Sequence, residues 1–131
     1  MSVEFSQFLE EREQAAQAYV RGDGSALDSM VCRQGDASFH SPGGDSVSGA
    51  RQVAERYLKD AGAFRPEGTT HFEVLQQGSS GDLGFWTGFQ IARAQIGDMP
   101  EPMDMKIRVT EIFRRQDGQW KMVHRHADMA K

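Results

Sequence analysis

Three parts of this chain carry side chains of types that do chemistry. The first is DGQWKMVHRHAD at 117–128, a turn signal followed by a short strand that closes on His124, Arg125 and His126. Two imidazoles at i and i+2 share one strand face, and a metal site, a proton-transfer pair or a plain edge strand could each use them. Zinc would need a further converging ligand. His40 or His71 could supply it only if the pair faced inward, and no Cys, His or Glu stands at a ligand spacing, so no metal is expected. The second is Glu111, within IRVTEIFRR: Ile107, Val109, Glu111 and Phe113 alternate with Arg108, Thr110, Ile112 and Arg114. The first set is apolar apart from one carboxylate and is expected to face the core. Burial raises the pKa of such a carboxyl unless a cation or donors answer it, which makes Glu111 a candidate acid or base; the plainer reading is an ion pair with an arginine. The third is His40, which ends ASFH just before Ser-Pro-Gly-Gly. It is a candidate general base because an imidazole titrates near neutrality. The alternative is a strand-end histidine bonded to a nearby carbonyl. Cys32, the one cysteine, is read as a small buried apolar residue.

These residues have to be placed by an ordered set of elements. Phe5, Phe8, Leu9, Ala15, Ala16, Tyr19 and Val20 recur at helical spacing over 4–21, with Glu10, Glu11, Arg12 and Glu13 assigned to the wet side. Gly22 stands where a helix stops, and Asp23 or Ser25 caps a short second helix reaching about Met30. ASFH reads as a brief strand and SPGGD as a turn. A third helix runs from Gly49 to about Ala61, with Val53, Ala54, Tyr57 and Leu58 on one face. The period then becomes two: strands are expected over 69–77, 83–95, 103–115 and 119–127, joined by short turns into an antiparallel meander. Helices first and a meander second is an α+β layout with helices on one face of a curved sheet.

With 131 residues the chain suits a single domain, 1–131, able to bury a core without disulfide or metal. A hydrophobic fraction of 38% and a charged fraction of 26% are those of an ordinary globule. The net charge of −4 argues against a nucleic-acid partner, and Glu111 and Asp117 interrupt the one basic cluster, Arg108, Arg114 and Arg115. No stretch approaches a membrane span. The acidic start MSVEFSQFLEEREQ lacks the order of a signal peptide, and a lone cysteine fits a reducing compartment, so a cytoplasmic location is expected.

Three passages together resemble the nuclear transport factor 2-like superfamily, in particular its SnoaL-like branch, which includes ketosteroid isomerases and the association domain of calcium/calmodulin-dependent kinase II. RGDGSALDSMV looks like the family's helix break. ASFHSPGGDSVSGARQVAERYL is similar to its strand, turn and following helix, and IRVTEIFRRQDGQWKMVHRHAD to its last hairpin. The resemblance implies a cone-shaped, strongly bent antiparallel sheet wrapped over three N-terminal helices and enclosing an apolar pocket, with homodimers formed through the outer sheet face. It puts Glu111 near the family's pocket carboxylic acid and His40 where ketosteroid isomerases carry the proton-moving carboxylate. The chain departs from that pattern on the first helix, where Ala15 or Ala16 replaces a hydrogen-bonding tyrosine, with Tyr19 one turn later.

The pocket expected on this basis is lined by Tyr19, Phe39, Tyr57, Phe64, Phe85 and Phe89. Phe85, Thr87, Phe89 and Ile91 are assigned to the inner face of their strand; Trp86 is turned outward to a dimer contact, though a bulge would swap the two sets. Likeness to the kinase association domain favours Val123, Arg125 and Ala127 inward, with Arg125 pairing with Glu111 or holding an anionic ligand, and Trp120, His124 and His126 outward. Two functions stay open. One is a cofactor-free isomerase, cyclase or dehydratase acting on a small hydrophobic carbonyl compound, with His40 as base and Glu111 or Arg125 steadying an oxyanion. The other is a non-catalytic ligand-binding or homo-oligomerisation module.

Overall fold

The structure is a computed structural model, and it describes residues 4–131. The first apolar stripe winds into α1 (Phe5–Tyr19), which buries Phe5, Phe8, Leu9, Ala15 and Ala16, and also Arg12. Gly22, at a φ of 99° that an L side chain rarely adopts, turns the chain into α2 (Ser25–Met30). Next come β1 (Ser38–His40) and β2 (Ser46–Ser48), a hairpin of which only the first strand was expected. The third helix, α3 (Ala50–Ala61), buries Val53, Ala54 and Tyr57 while Leu58 stays 46% exposed.

Four long strands follow: β3 (Thr69–Ser80), β4 (Leu83–Ala94), β5 (Met103–Gln116) and β6 (Gln119–Met129). They pair as an antiparallel meander, and β1 adds to β6 in parallel, giving one six-stranded sheet in the order β2-β1-β6-β5-β4-β3. The α+β architecture is therefore the expected one. The helices fill the concave side, where Phe5, Phe8, Phe113 and Trp120 pack with ring centroids 5.2–5.5 Å apart in the Phe5–Phe113, Phe5–Trp120 and Phe8–Phe113 pairs.

Two irregularities bend the sheet and set which side chains reach the core. The β3–β4 register shifts between Val74 and Gln76. Beside this bulge the β3 backbone closes over Gly88, whose missing Cβ would collide with the Glu73 carbonyl. A second shift, between Ile112 and Phe113, leaves Val123 as the extra residue of β6. On either side of it the alternation changes phase, so that Trp120 and Met122 face inward before it and Arg125 and Ala127 after it. Trp120 is thus buried, contrary to its expected outward placement.

The larger correction concerns β4. Trp86, Gly88, Gln90 and Ala92 face the core, and Phe85, Thr87, Phe89 and Ile91 face outward. Cross-strand partners share a face, and the register pairs Gly84 with Phe113, Trp86 with Glu111, Gly88 with Val109 and Gln90 with Ile107. The glycines mislead because they look like an outer set. They are small because the concave side is crowded: a Cβ on Gly84 would lie 2.7 Å from the Phe5 ring.

Candidate functional site

Between α1, α3 and the concave sheet lies a cavity of about 300 Å³. Tyr19, Phe39, Tyr57, Phe64 and Arg125 are among the residues that line it. Tyr19 meets Phe64 at a ring separation of 5.6 Å, and Phe39 meets Tyr57 at 4.9 Å. Phe85 and Phe89 do not contribute. Phe85 is 37% exposed on the convex face, and the Lys106 ammonium lies 4.3 Å above the Phe89 ring there. Aromatic content favours the inner face for both, and the cross-strand register with β5 overrides it.

The polar end of the cavity is a buried ion cluster. Arg12 grips Glu111 with two bonds, Nε to Oε1 at 3.0 Å and Nη2 to Oε2 at 2.8 Å. Arg125 donates from Nη1 to the same Oε2, and the Trp86 indole donates to Oε1 at 2.8 Å. Arg125 continues through Nη2 to the Gln90 amide oxygen at 2.8 Å. Burial by itself would push the Glu111 carboxyl up; the Arg12 and Arg125 guanidiniums, with the Arg12 and Trp86 hydrogen bonds, bring it down to about 2. Glu111 is therefore a carboxylate at any ordinary pH. Trp86, expected at a dimer contact, is fully buried here instead, stacked on Phe72 at 4.4 Å.

Two donors in this region lack partners. Arg12 Nη1 and Tyr57 Oη are buried without a hydrogen bond, and both residues line the cavity. Burial, the largest cause, also raises the Tyr57 phenol well above its ordinary value, so it stays protonated. Two guanidiniums facing one carboxylate leave an excess positive charge, so the cavity has mainly apolar walls, two open donors and a cationic end. Donors of these two kinds pair with oxygen acceptors such as carbonyls and carboxylates. The one carboxylate that lines the cavity among the described residues is Asp60, whose Oδ2 accepts from Arg56 Nε at 2.9 Å.

Arg12 was missed by the sequence reading, which put it on the wet side among glutamates. Its position gave a signal: it lies four residues after Phe8 and four before Ala16, on the buried stripe, and is 2% exposed.

His40 and Glu111 do not meet. In the parallel register, Phe39 pairs with Arg125 and His40 with His126. Phe39 and Arg125 turn into the cavity, and His40 turns to the convex side with His124 and His126, its ring 5.1 Å and 5.2 Å from theirs. His40 Nδ1 is 2.7 Å from Ser46 Oγ, and His124 Nδ1 is 2.6 Å from Ser38 Oγ. The proton-transfer pair expected from the sequence is thus separated by the sheet, because a strand of alternating faces cannot send neighbouring residues to one side. No group of three or more metal-ligating side chains arranged to hold an ion occurs among the described residues.

A family model for the SnoaL-like domain matches residues 12–130. No curated protein matches significantly. Among solved structures, the chain is similar to a candidate dehydratase of the nuclear transport factor 2-like family from Streptomyces avermitilis, at 20% identity and a TM-score of 0.77, covering 96% of this chain and 95% of that one. It is also similar to a nuclear transport factor 2-like superfamily protein from Salmonella enterica, at 17% identity and 0.78, covering 97% and 89%. The hub of the calcium/calmodulin-dependent kinase II of S. rosetta aligns at 19% identity and 0.70, covering 94% of each chain. At these identities the structural likeness shows the fold.

Proposed function

This chain belongs to the SnoaL-like domain family, and on that premise we propose that it is a small-molecule binding protein whose ligand has an apolar body and a carboxylate or carbonyl head. The observation that carries this reading is the pair of open donors, Arg12 Nη1 and Tyr57 Oη, beside a cavity whose walls are mainly apolar, with Arg125, Gln90 and Asp60 as its other polar lining. Leaving buried donors unpaired costs free energy unless a ligand answers them.

The binding reading is favoured over proton transfer because neither expected catalytic group is positioned for it. His40 lies across the sheet, and Glu111 is held as a carboxylate by two arginines. A catalytic version of the same pocket would use Arg12 and Tyr57 to polarise a carbonyl and Asp60 as base, since Asp60 is the carboxylate lining the cavity. The reaction class would remain isomerisation, cyclisation or dehydration without a cofactor. A homodimer through the convex face belongs to the same proposal: Leu75, Leu83, Phe85 and Ile112 are 65%, 50%, 37% and 38% exposed there.

The test is thermal stabilisation by a panel of small aromatic and branched carboxylic acids, their methyl ketone counterparts and matched amines. Acids or ketones are expected to raise Tm where amines do not, and Arg12→Gln or Tyr57→Phe is expected to remove the difference. Equal responses to all three classes, or responses unchanged in both variants, would overturn the assignment.

A further inference from the structure

Three of the four histidines, none of which lines the cavity, form a cluster across the seam that holds the cavity's outer wall. Its members come from two strands: His40 from β1, and His124 and His126 from β6, with the His40 ring standing edge-on to both of the others. β1 is three residues long and is attached to the main sheet through β6. On the opposite face of that seam Phe39 and Arg125 line the cavity, and Pro42, in the turn after β1, lines it too. The β1–β2 hairpin is therefore both a wall of the cavity and the partner of β6 in a three-imidazole contact.

We propose that this cluster makes the β1–β2 hairpin an acid-sensitive flap: protonation of the imidazoles drives β1 away from β6, withdraws Phe39 and Pro42 from the cavity wall, and releases the ligand. The inference extends the binding reading by naming how the site is regulated, and it rests on that reading for the ligand alone.

The surroundings of the cluster do little to absorb added charge. On β6, Asp128 lies 3.6 Å from His126 Nε2, but its two oxygens already accept from Arg108 of β5 at 2.5 Å and 2.8 Å. Glu111 acts on His124 only through the sheet, and its charge is countered there by Arg12 and Arg125. At the tip of the hairpin, Asp45 is held by Arg56 of α3, on the inner side where Arg56 also lies over the Phe39 ring. His40 and His124 have no carboxylate ion pair among the described residues. Each serine hydroxyl, Ser46 at His40 and Ser38 at His124, can turn to accept from its own ring once that ring is protonated, but neither carries a counter-charge. With His40 charged, a proton on either of the other rings meets like charge at about 5 Å, the separation of the His40 ring from each. Burial, followed by the neighbouring His40 and His126, already holds the His124 ring below its ordinary range. The sign follows: a histidine whose folded value is depressed stabilises the closed form fully above about pH 6.5, and that contribution falls as pH drops below it.

Amide hydrogen exchange on the full chain, corrected for the intrinsic pH dependence of exchange, tests the flap without a ligand. Protection across 38–48 is expected to fall at least tenfold between pH 7.5 and 5.0 while β4 and β5 hold theirs. The double substitution His40→Gln and His126→Gln, or His40→Gln alone should the double variant not fold, is expected to remove most of that fall. A loss of less than threefold, an equal loss across the whole sheet, or an undiminished loss in a folded glutamine variant overturns the proposal. In parallel, the affinity of the best acid or ketone from the thermal panel is measured at both pH values. If the wild-type hairpin opens and no probe binds at pH 7.5, the binding reading fails and the flap stands; if a probe binds equally at both pH values, ligand release fails.

Discussion

Trp86 and Glu111 face each other across β4 and β5, the indole nitrogen donating to the carboxylate at 2.8 Å with both side chains fully buried. This pair ties the inner face of the meander to the cation cluster. Around it Arg12 of α1 and Arg125 of β6 close on the same carboxylate, so one acidic side chain joins helix and sheet.

Glu111→Ala is expected to destabilise the protein by about 3–5 kcal/mol, because two guanidiniums are left facing each other in the core. Urea denaturation at pH 7 measures it. A change under about 1 kcal/mol would mean that the cluster is solvated and contributes little.

Acid should weaken the fold through the same carboxylate. Its folded pKa is depressed from 4.5 to about 2, so the unfolded chain binds the proton first and stability falls as pH drops through that window. The full effect is on the order of 3 kcal/mol. Glu111→Gln should flatten the stability profile between pH 5 and 2.5, which parallel urea titrations would read.

Tyr57→Phe separates folding from binding. The hydroxyl has no partner, so removing it should leave stability unchanged or raise it by up to about 1 kcal/mol. Affinity for a ligand carrying a carbonyl or carboxylate should drop roughly five- to tenfold, equivalent to one lost hydrogen bond. Calorimetric titration alongside a melting curve checks both halves, and a large loss of Tm would assign the phenol a structural role.

Gly88→Ala should cost about 1–3 kcal/mol, since an added methyl collides with the Glu73 carbonyl where β3 closes over β4. An unchanged midpoint would show that the bulge can relax.

Phe85→Lys places charge in the exposed apolar patch of the convex face and should convert a dimer to a monomer at micromolar concentration, as followed by sedimentation velocity. A wild-type chain that is already monomeric at that concentration removes the convex-face dimer from consideration.

How far the sequence reached can be judged from particular residues. Helical spacing located α1 and α3, the change to period two located the meander, and the alternation of Ile107, Val109, Glu111 and Phe113 identified the inner face of β5. These are local properties, carried by neighbours along one strand or helix. The face of β4 was not local: Phe85 and Trp86 are both large and apolar, and only pairing with β5 chose between them. Arg12 looked solvated among glutamates until Glu111, far along the chain, gave it a buried counter-charge. His40 and Glu111 each had the chemistry of a catalytic group, and the sheet put them on opposite sides. Residue types and periods determined the elements and the supply of reactive groups. Register, one bulge at Val123 and another beside Gly88 decided which of those groups meet, because a single-residue shift in a strand exchanges its two faces.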